Sequence, residues 1–185
     1  MFRKNLVNSI FVTLAIITMS CAPPTPNQQV RSNNIKLTQE SLNAAYKNQG
    51  KPIRFTYKNC RVNSVGGISP AVDFYNTSAK TIKYIELNYS FYNAVGDLSF
   101  CSIRKKSSII GVLTGPIHYN TIANAIFDPM IYNYATRDFV ITEIKIDYMD
   151  GETVKYTQSQ IDTFGPAGWN SKNSYNEKIL GAGWN

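Results

Sequence analysis

The sequence predicts an all-β domain folded as a two-layer sandwich, with a short helix ahead of it, and three observations carry that expectation. From Ile53 onward no helical period survives, and short runs rich in Val, Ile, Tyr, Phe and Thr are separated by Gly, Pro, Asn and Asp. Two of those runs alternate strictly between apolar and polar residues. The turn signals also recur close to the spacing expected of a sandwich.

Candidate strands fall at 53–62, 68–75, 81–93, 98–103, 107–114, 120–127, 137–148 and 152–158. In 85–91, Ile85, Leu87, Tyr89 and Phe91 alternate with Glu86, Asn88 and Ser90, so one face belongs to the core and the other to water. In 140–148, Val140, Thr142, Ile144, Ile146 and Tyr148 alternate with Ile141, Glu143, Lys145 and Asp147 in the same way. The connection Met149-Asp150-Gly151 is expected to be a three-residue hairpin loop with Gly151 in the left-handed position. That register sets Tyr148 across from Glu152, Ile146 from Val154 and Ile144 from Tyr156. A two-residue loop would turn Val154 and Tyr156 away from the isoleucines.

The short helix is expected over 37–50. Thr38 is its N-cap, Leu37 and Leu42 form a hydrophobic staple, Glu40 favours the first turn, and Gly50 then Pro52 end it. A helix this short is marginal alone, so it either packs through Leu42, Ala45 and Tyr46 or frays. Residues 22–36, rich in Pro, Asn, Gln and Ser, read as a solvated, extended linker.

At 185 residues, 43% hydrophobic and only 17% charged, the chain has apolar surface enough for one core and no case for global disorder. The formal charge of +7 falls to +5 if Arg3 and Lys4 are removed with a signal segment. The basic run Arg104-Lys105-Lys106 reads as a solvated turn, so no nucleic-acid partner is expected.

Arg3 and Lys4 precede an apolar stretch from Ile10 to Met19, too short to span about 30 Å of hydrocarbon, which marks 1–20 as a secretory signal peptide. The stretch ends at Thr18-Met19-Ser20-Cys21, followed by Ala22-Pro23-Pro24. Here the sequence resembles bacterial lipoprotein precursors, with Ser20 as the small residue before an acylated cysteine and Cys21 as that cysteine; Thr18 stands where the family usually has Leu. The resemblance implies palmitate-type lipid attachment at Cys21 and a mature chain starting there, held at a membrane through buried acyl chains. In a Gram-negative host, Ala22 after the cysteine implies the outer membrane, facing the periplasm. The alternative is an ordinary signal peptide that happens to end at a cysteine.

Residues about 72–151 carry Asn76-Thr77-Ser78-Ala79-Lys80-Thr81-Ile82-Lys83-Tyr84-Ile85, Tyr92-Asn93-Ala94-Val95-Gly96-Asp97, Thr114-Gly115-Pro116-Ile117 and Ile144-Lys145-Ile146-Asp147-Tyr148-Met149-Asp150-Gly151. In these segments the chain resembles an uncharacterised immunoglobulin-like or fibronectin type III-like domain of bacterial extracytoplasmic proteins. Phe127 and Ile131 stand where members usually carry tryptophans ahead of the Tyr132-Asn133 dipeptide. The resemblance implies a fold and a compartment and supplies no catalytic residues.

Nothing in the sequence signals catalysis, a metal site or a cofactor. His118, the single histidine, follows a turn with no carboxylate or nucleophile partnered to it, and the cysteines lack zinc spacing. No phosphate-binding loop, dinucleotide turn or nucleophile elbow is present. Cys60 and Cys101 are disulfide candidates in an oxidising compartment, where a bridge would be worth roughly 4 kcal/mol; two separate thiols are the alternative.

After a sandwich spanning 52–160, the tail 161–185 holds both tryptophans in repeated Ala-Gly-Trp-Asn contexts, at Trp169 and Trp184. Either one of them folds back over the sandwich, or both are exposed anchors for a partner. The expected function is that of a membrane-tethered, non-catalytic sandwich with no small-molecule substrate, binding another cell-envelope component, foremost a protein. A glycan-binding or cell-wall-binding module is the first rival and an enzyme with an unrecognised site the second.

Overall fold

A computed structural model describes residues 26–172; Cys21, the expected signal segment 1–20 and Trp184 lie outside them. The chain divides into two compact units, Met1–Ile35 and Lys36–Asn185. Among the described residues of the first are the opening turns of helix α1, Pro26–Asn48, and the second holds the rest of α1 and all the strands.

The fold is a β-sandwich of two antiparallel four-stranded sheets. One orders β1 (Ile53–Val62), β2 (Gly67–Asn76) and β5 (Ile122–Ile126), with the two-residue β6 (Ile131–Tyr132) also on β2. The other orders β4 (Ser108–Ile117), β3 (Ile82–Asn93), β7 (Thr136–Tyr148) and β8 (Thr153–Thr157). Their inner faces share one core, in which Phe55 and Phe74 of one sheet meet Tyr89, Phe91 and Phe139 of the other among isoleucines. Phe127 packs against Tyr89 in an edge-on arrangement, ring centroids 5.7 Å apart.

The β3 alternation is as expected: Ile85, Leu87, Tyr89 and Phe91 are fully buried. On β7 the expected register holds only from Ile144 to Tyr148. A bulge between the pairs Asn88↔Glu143 and Tyr89↔Ile141 leaves Thr142 as the extra residue, so Ile141 and Phe139 face the core upstream of it. The β7–β8 hairpin takes the three-residue loop, with Ile146 opposite Val154, Ile144 opposite Tyr156, and Tyr148 N–H donating to the Glu152 carbonyl. Gly151, at φ 91°, supplies the backbone conformation that L side chains avoid.

Three expectations need correction. Helix α1 starts at Pro26 rather than Thr38, so the stretch from 26 to 36 expected as an extended linker is helical. Proline loses nothing at a first helical position, and Gln and Arg are good helix formers despite their solvated character. Thr38 is therefore interior, and Leu37 and Leu42 are both exposed, so no staple closes. The face α1 turns to the sandwich is polar. Arg54 of β1 donates to Asn43 Oδ1 at 2.6 Å and to Gln39, and Asn43 donates onward to Asn120. The helix ends as expected at Gly50 (φ 69°), where Lys51 N–H reaches the Tyr46 carbonyl and Gly50 N–H the Lys47 carbonyl.

Residues 98–103 are not a strand; apart from the isolated pair Tyr92↔Leu98 they form a loop. The expected tail, finally, belongs to the fold through at least Asn170. After the short helix α2 (Gln158–Ile161), the Phe164 carbonyl accepts the Phe55 N–H at 2.7 Å and Trp169 stacks on Phe55 at 4.1 Å. Trp169 is only 4% exposed, so it covers the sandwich and is not an exposed anchor.

Candidate interaction surface

The surface lies at the end of the sandwich where β3 leaves its sheet. Asn93, the last residue of β3, accepts the N–H groups of Val95 and Asp97 on its side-chain oxygen, at 3.0 and 2.9 Å, and Gly96 takes a positive φ to close the turn. The chain then runs back under backbone hydrogen bonds. Ser99 N–H donates to the Phe91 carbonyl, Cys101 N–H to that of Lys106, and Ser102 N–H to that of Tyr132. The Asn133 side-chain amide holds the Phe100 carbonyl at 3.0 Å.

These bonds decide which side chains face outward. Ser99 and Cys101 are buried, so Leu98 and Phe100, alternating with them, point to solvent, and Ile103 follows at the tip. Phe100 is 52% exposed and Ile103 69%. Beside them Val65 and Tyr134 are also exposed, with the Tyr134 ring laid on Gly66 and its hydroxyl on the Ser64 carbonyl. A cavity of about 490 Å³ opens among Val65, Phe100, Lys105, Tyr132 and Tyr134. Arg104, Lys105 and Lys106 border this apolar group, so the turn that the sequence marks as merely solvated adjoins the largest exposed ring of the loop.

Cys101 is the inward anchor of the loop. Its thiol accepts the N–H groups of Arg104 and Tyr132 at 3.4 and 3.5 Å. Burial acts to raise the thiol, and those backbone donors outweigh it, leaving Cys101 below the ordinary cysteine value. Cys60 sits on β1 beside Lys58, whose ammonium pairs with Asp138 of β7 at 2.9 Å and so ties the two sheets together. Burial first, then the Asp138 charge, pushes the Cys60 thiol up to about 12. Both cysteines are free thiols in the structure, so the disulfide expectation is replaced by its alternative of two separate sulfurs.

His118 lies exposed at the end of β4, its Nδ1 3.2 Å from the Thr81 hydroxyl. A second concavity of about 360 Å³ is lined by Lys47, Lys51, Lys80, Tyr148, Glu152 and Tyr156, but the Lys80 ammonium is held there by Asp150 and Glu152. No group of three or more His, Cys, Asp or Glu is placed to hold a metal ion among the described residues, and no described helix is long and apolar enough to cross a membrane.

No signal in the sequence separates Leu98, Phe100 and Ile103 from a strand, because their alternation with Ser99 and Cys101 has the period of one. Only the hydrogen bonds distinguish a strand that is paired from a loop that presents its outer side chains.

No family model matches the chain, and no curated protein matches it. Among solved structures it is similar to a hypothetical protein from Peptoclostridium difficile 630, at 11% identity and a TM-score of 0.45, over 70% of this chain and 98% of that one.

Proposed function

We propose that this protein is a lipid-tethered, extracytoplasmic binding module that engages another cell-envelope protein through the loop surface around Phe100. The observation that carries the reading is the pinned loop itself. Leu98, Phe100 and Ile103 are held outward by backbone hydrogen bonds on both sides, so ordering costs little on association, while each adds apolar area that water would otherwise cover. Large side chains on a rigid support are what interface hot spots require, and the bordering Arg104, Lys105 and Lys106 favour a partner with an acidic rim.

The tether rests on the sequence: the positive segment, the short apolar stretch and Ser20-Cys21 fit a lipoprotein precursor lipidated at Cys21. The sheet orders β1-β2-β5 and β4-β3-β7-β8 support an immunoglobulin-like or fibronectin type III-like sandwich, a fold that by itself specifies no chemistry. The module is non-catalytic in this reading, with no cofactor.

Chemical cross-linking in intact cells, followed by mass spectrometry, compares the native chain with the double variant Phe100→Ser, Ile103→Ser. A specific envelope protein joined to the native chain and lost in the variant is the expected result. Equal recovery from both chains would place the contact elsewhere, and no protein partner together with sedimentation on purified cell-wall polymer would transfer the function to glycan binding.

A further inference from the structure

Strand edges invite other strands, because each presents a row of N–H and C=O groups with no partner in the sheet, and folded proteins ordinarily blunt them with charge, brevity or a covering segment. The outermost strands here are treated unequally. The β1 edge is covered where the Phe55 N–H meets the Phe164 carbonyl, and the strand carries Arg54, Lys58 and Arg61. The β8 edge is five residues long and carries Lys155, and β5 is equally short. By contrast β4 runs ten residues, Ser108–Ile117, with no charged side chain; Pro116 and a register shift against β3 interrupt only its end, and among the described strands Ser108–Thr114 pairs only with β3.

The outer face of β4 is apolar as well. Ile110 and Val112 are each 54% exposed, on either side of Gly111, and Ser108 and Thr114 are exposed beyond them. Gly111 itself turns inward against Phe127, whose ring lies 2.8 Å from where a Cβ would sit, so this stretch of backbone is buttressed from the core side.

We infer that β4 pairs antiparallel with β4 of a second copy of this chain, about a two-fold axis through Gly111, joining the two β4-β3-β7-β8 sheets into one. The strand is complementary to itself in that register. Each Ile110 lies opposite the other copy's Val112 and each Ser108 opposite Thr114, matching apolar with apolar and hydroxyl with hydroxyl. A register centred on Ile110 would set Ser108 against Val112, and one centred on Val112 would set Thr114 against Ile110, opposing hydroxyl to apolar in both. No charge on either strand opposes another, whereas a strand bearing lysine would repel its own copy. This surface adjoins the Phe100 loop through Arg104 and Lys106, which line a concavity with Asn88, Ser108 and Ile110, but its apolar pair belongs to β4, so loss of the Phe100 ring removes none of its contacts.

The test uses the full-length chain extracted from membranes in mild detergent. Sedimentation velocity is expected to show a dimer that Val112→Lys converts to monomer with circular dichroism unchanged, while Phe100→Ser leaves the dimer intact. To test the register, chains carrying Ile110→Cys and chains carrying Val112→Cys are oxidised separately and mixed. The mixture is expected to cross-link severalfold faster than either alone, because residue 110 faces 112 across the axis and faces itself only diagonally. A native monomer, a dimer insensitive to Val112→Lys, or cross-links from these positions to a different protein would each overturn the inference.

Discussion

The side-chain amide of Asn170 makes both hydrogen bonds that a neighbouring strand would make to Ile141: its Oδ1 accepts the Ile141 N–H at 2.8 Å and its Nδ2 donates to the Ile141 carbonyl at 2.9 Å. Ile141 lies on β7 beyond the last residue that β8 pairs, Glu143, so Asn170 continues the sheet with a single side chain. Gly168 at φ 75° sets up the approach and Trp169 fills the space over Phe55.

Replacing Asn170 by Ala leaves two buried backbone groups without partners and is expected to cost about 1–3 kcal/mol. Asn170→Asp is expected to be worse, since it sets a carboxylate against the Ile141 carbonyl and the Asp162 carboxylate that Asn170 now serves as donor. Urea denaturation of the three chains checks the order; equal midpoints would show the clamp to be decorative.

Tyr89 offers a change in the opposite direction. Its ring is fully buried against Phe139 and Phe127, yet its hydroxyl has no hydrogen-bond partner among the described residues. Tyr89→Phe removes the desolvated polar atom and keeps the ring, so stability is expected to stay level or rise by up to about 1 kcal/mol. A loss of more than that in thermal unfolding would mean that the hydroxyl is satisfied.

The cysteines give a chemical test. With the Cys60 thiol near 12, its thiolate fraction at pH 8 is roughly one in ten thousand, so alkylation of the folded protein is expected to spare it and to proceed only on unfolding. Intact mass before and after reduction is expected to be the same. A difference of about 2 Da would establish a Cys60–Cys101 bridge and contradict the separate thiols.

The β7–β8 hairpin carries a pH dependence. The Thr153 hydroxyl, then Lys145, hold the Asp147 carboxylate below its ordinary value of 3.8. A depressed carboxylate stabilises the fold above the unfolded value and loses that contribution as pH falls through the folded one. Stability is therefore expected to decline as pH drops below about 4, with a shallower decline in Asp147→Asn. Unfolding midpoints from pH 6 down to pH 2 check this, and an unchanged slope in the variant would refute it.

How far the sequence discloses the fold depends on what each residue's position rests on. Strand β1 matches its expected span of 53–62, and the Tyr148–Glu152 hairpin its expected loop, because alternation and a glycine at a left-handed position are local signals. The β7 bulge at Thr142 is not local: it follows from fitting Phe139 and Ile141 into a core shared with β3. Helix α1 matches its expected end but not its start, because the polar, proline-led stretch from Pro26 to Lys36 has the composition of a linker and carries no apolar stripe that would extend the helix toward the N-terminus. The Phe100 surface mimics a strand in period. Trp169 carries no mark separating a buried cap from an exposed anchor, because its burial is fixed by Phe55, more than a hundred positions earlier in the chain.

A photo-reactive phenylalanine analogue placed at position 100 in living cells reports whether the loop around Phe100 is a protein-binding surface. A discrete cross-link to one envelope protein is expected from position 100 and not from exposed Lys155 on β8, the other edge of the β4-β3-β7-β8 sheet. No protein cross-link from position 100, or the same products from both positions, would contradict it.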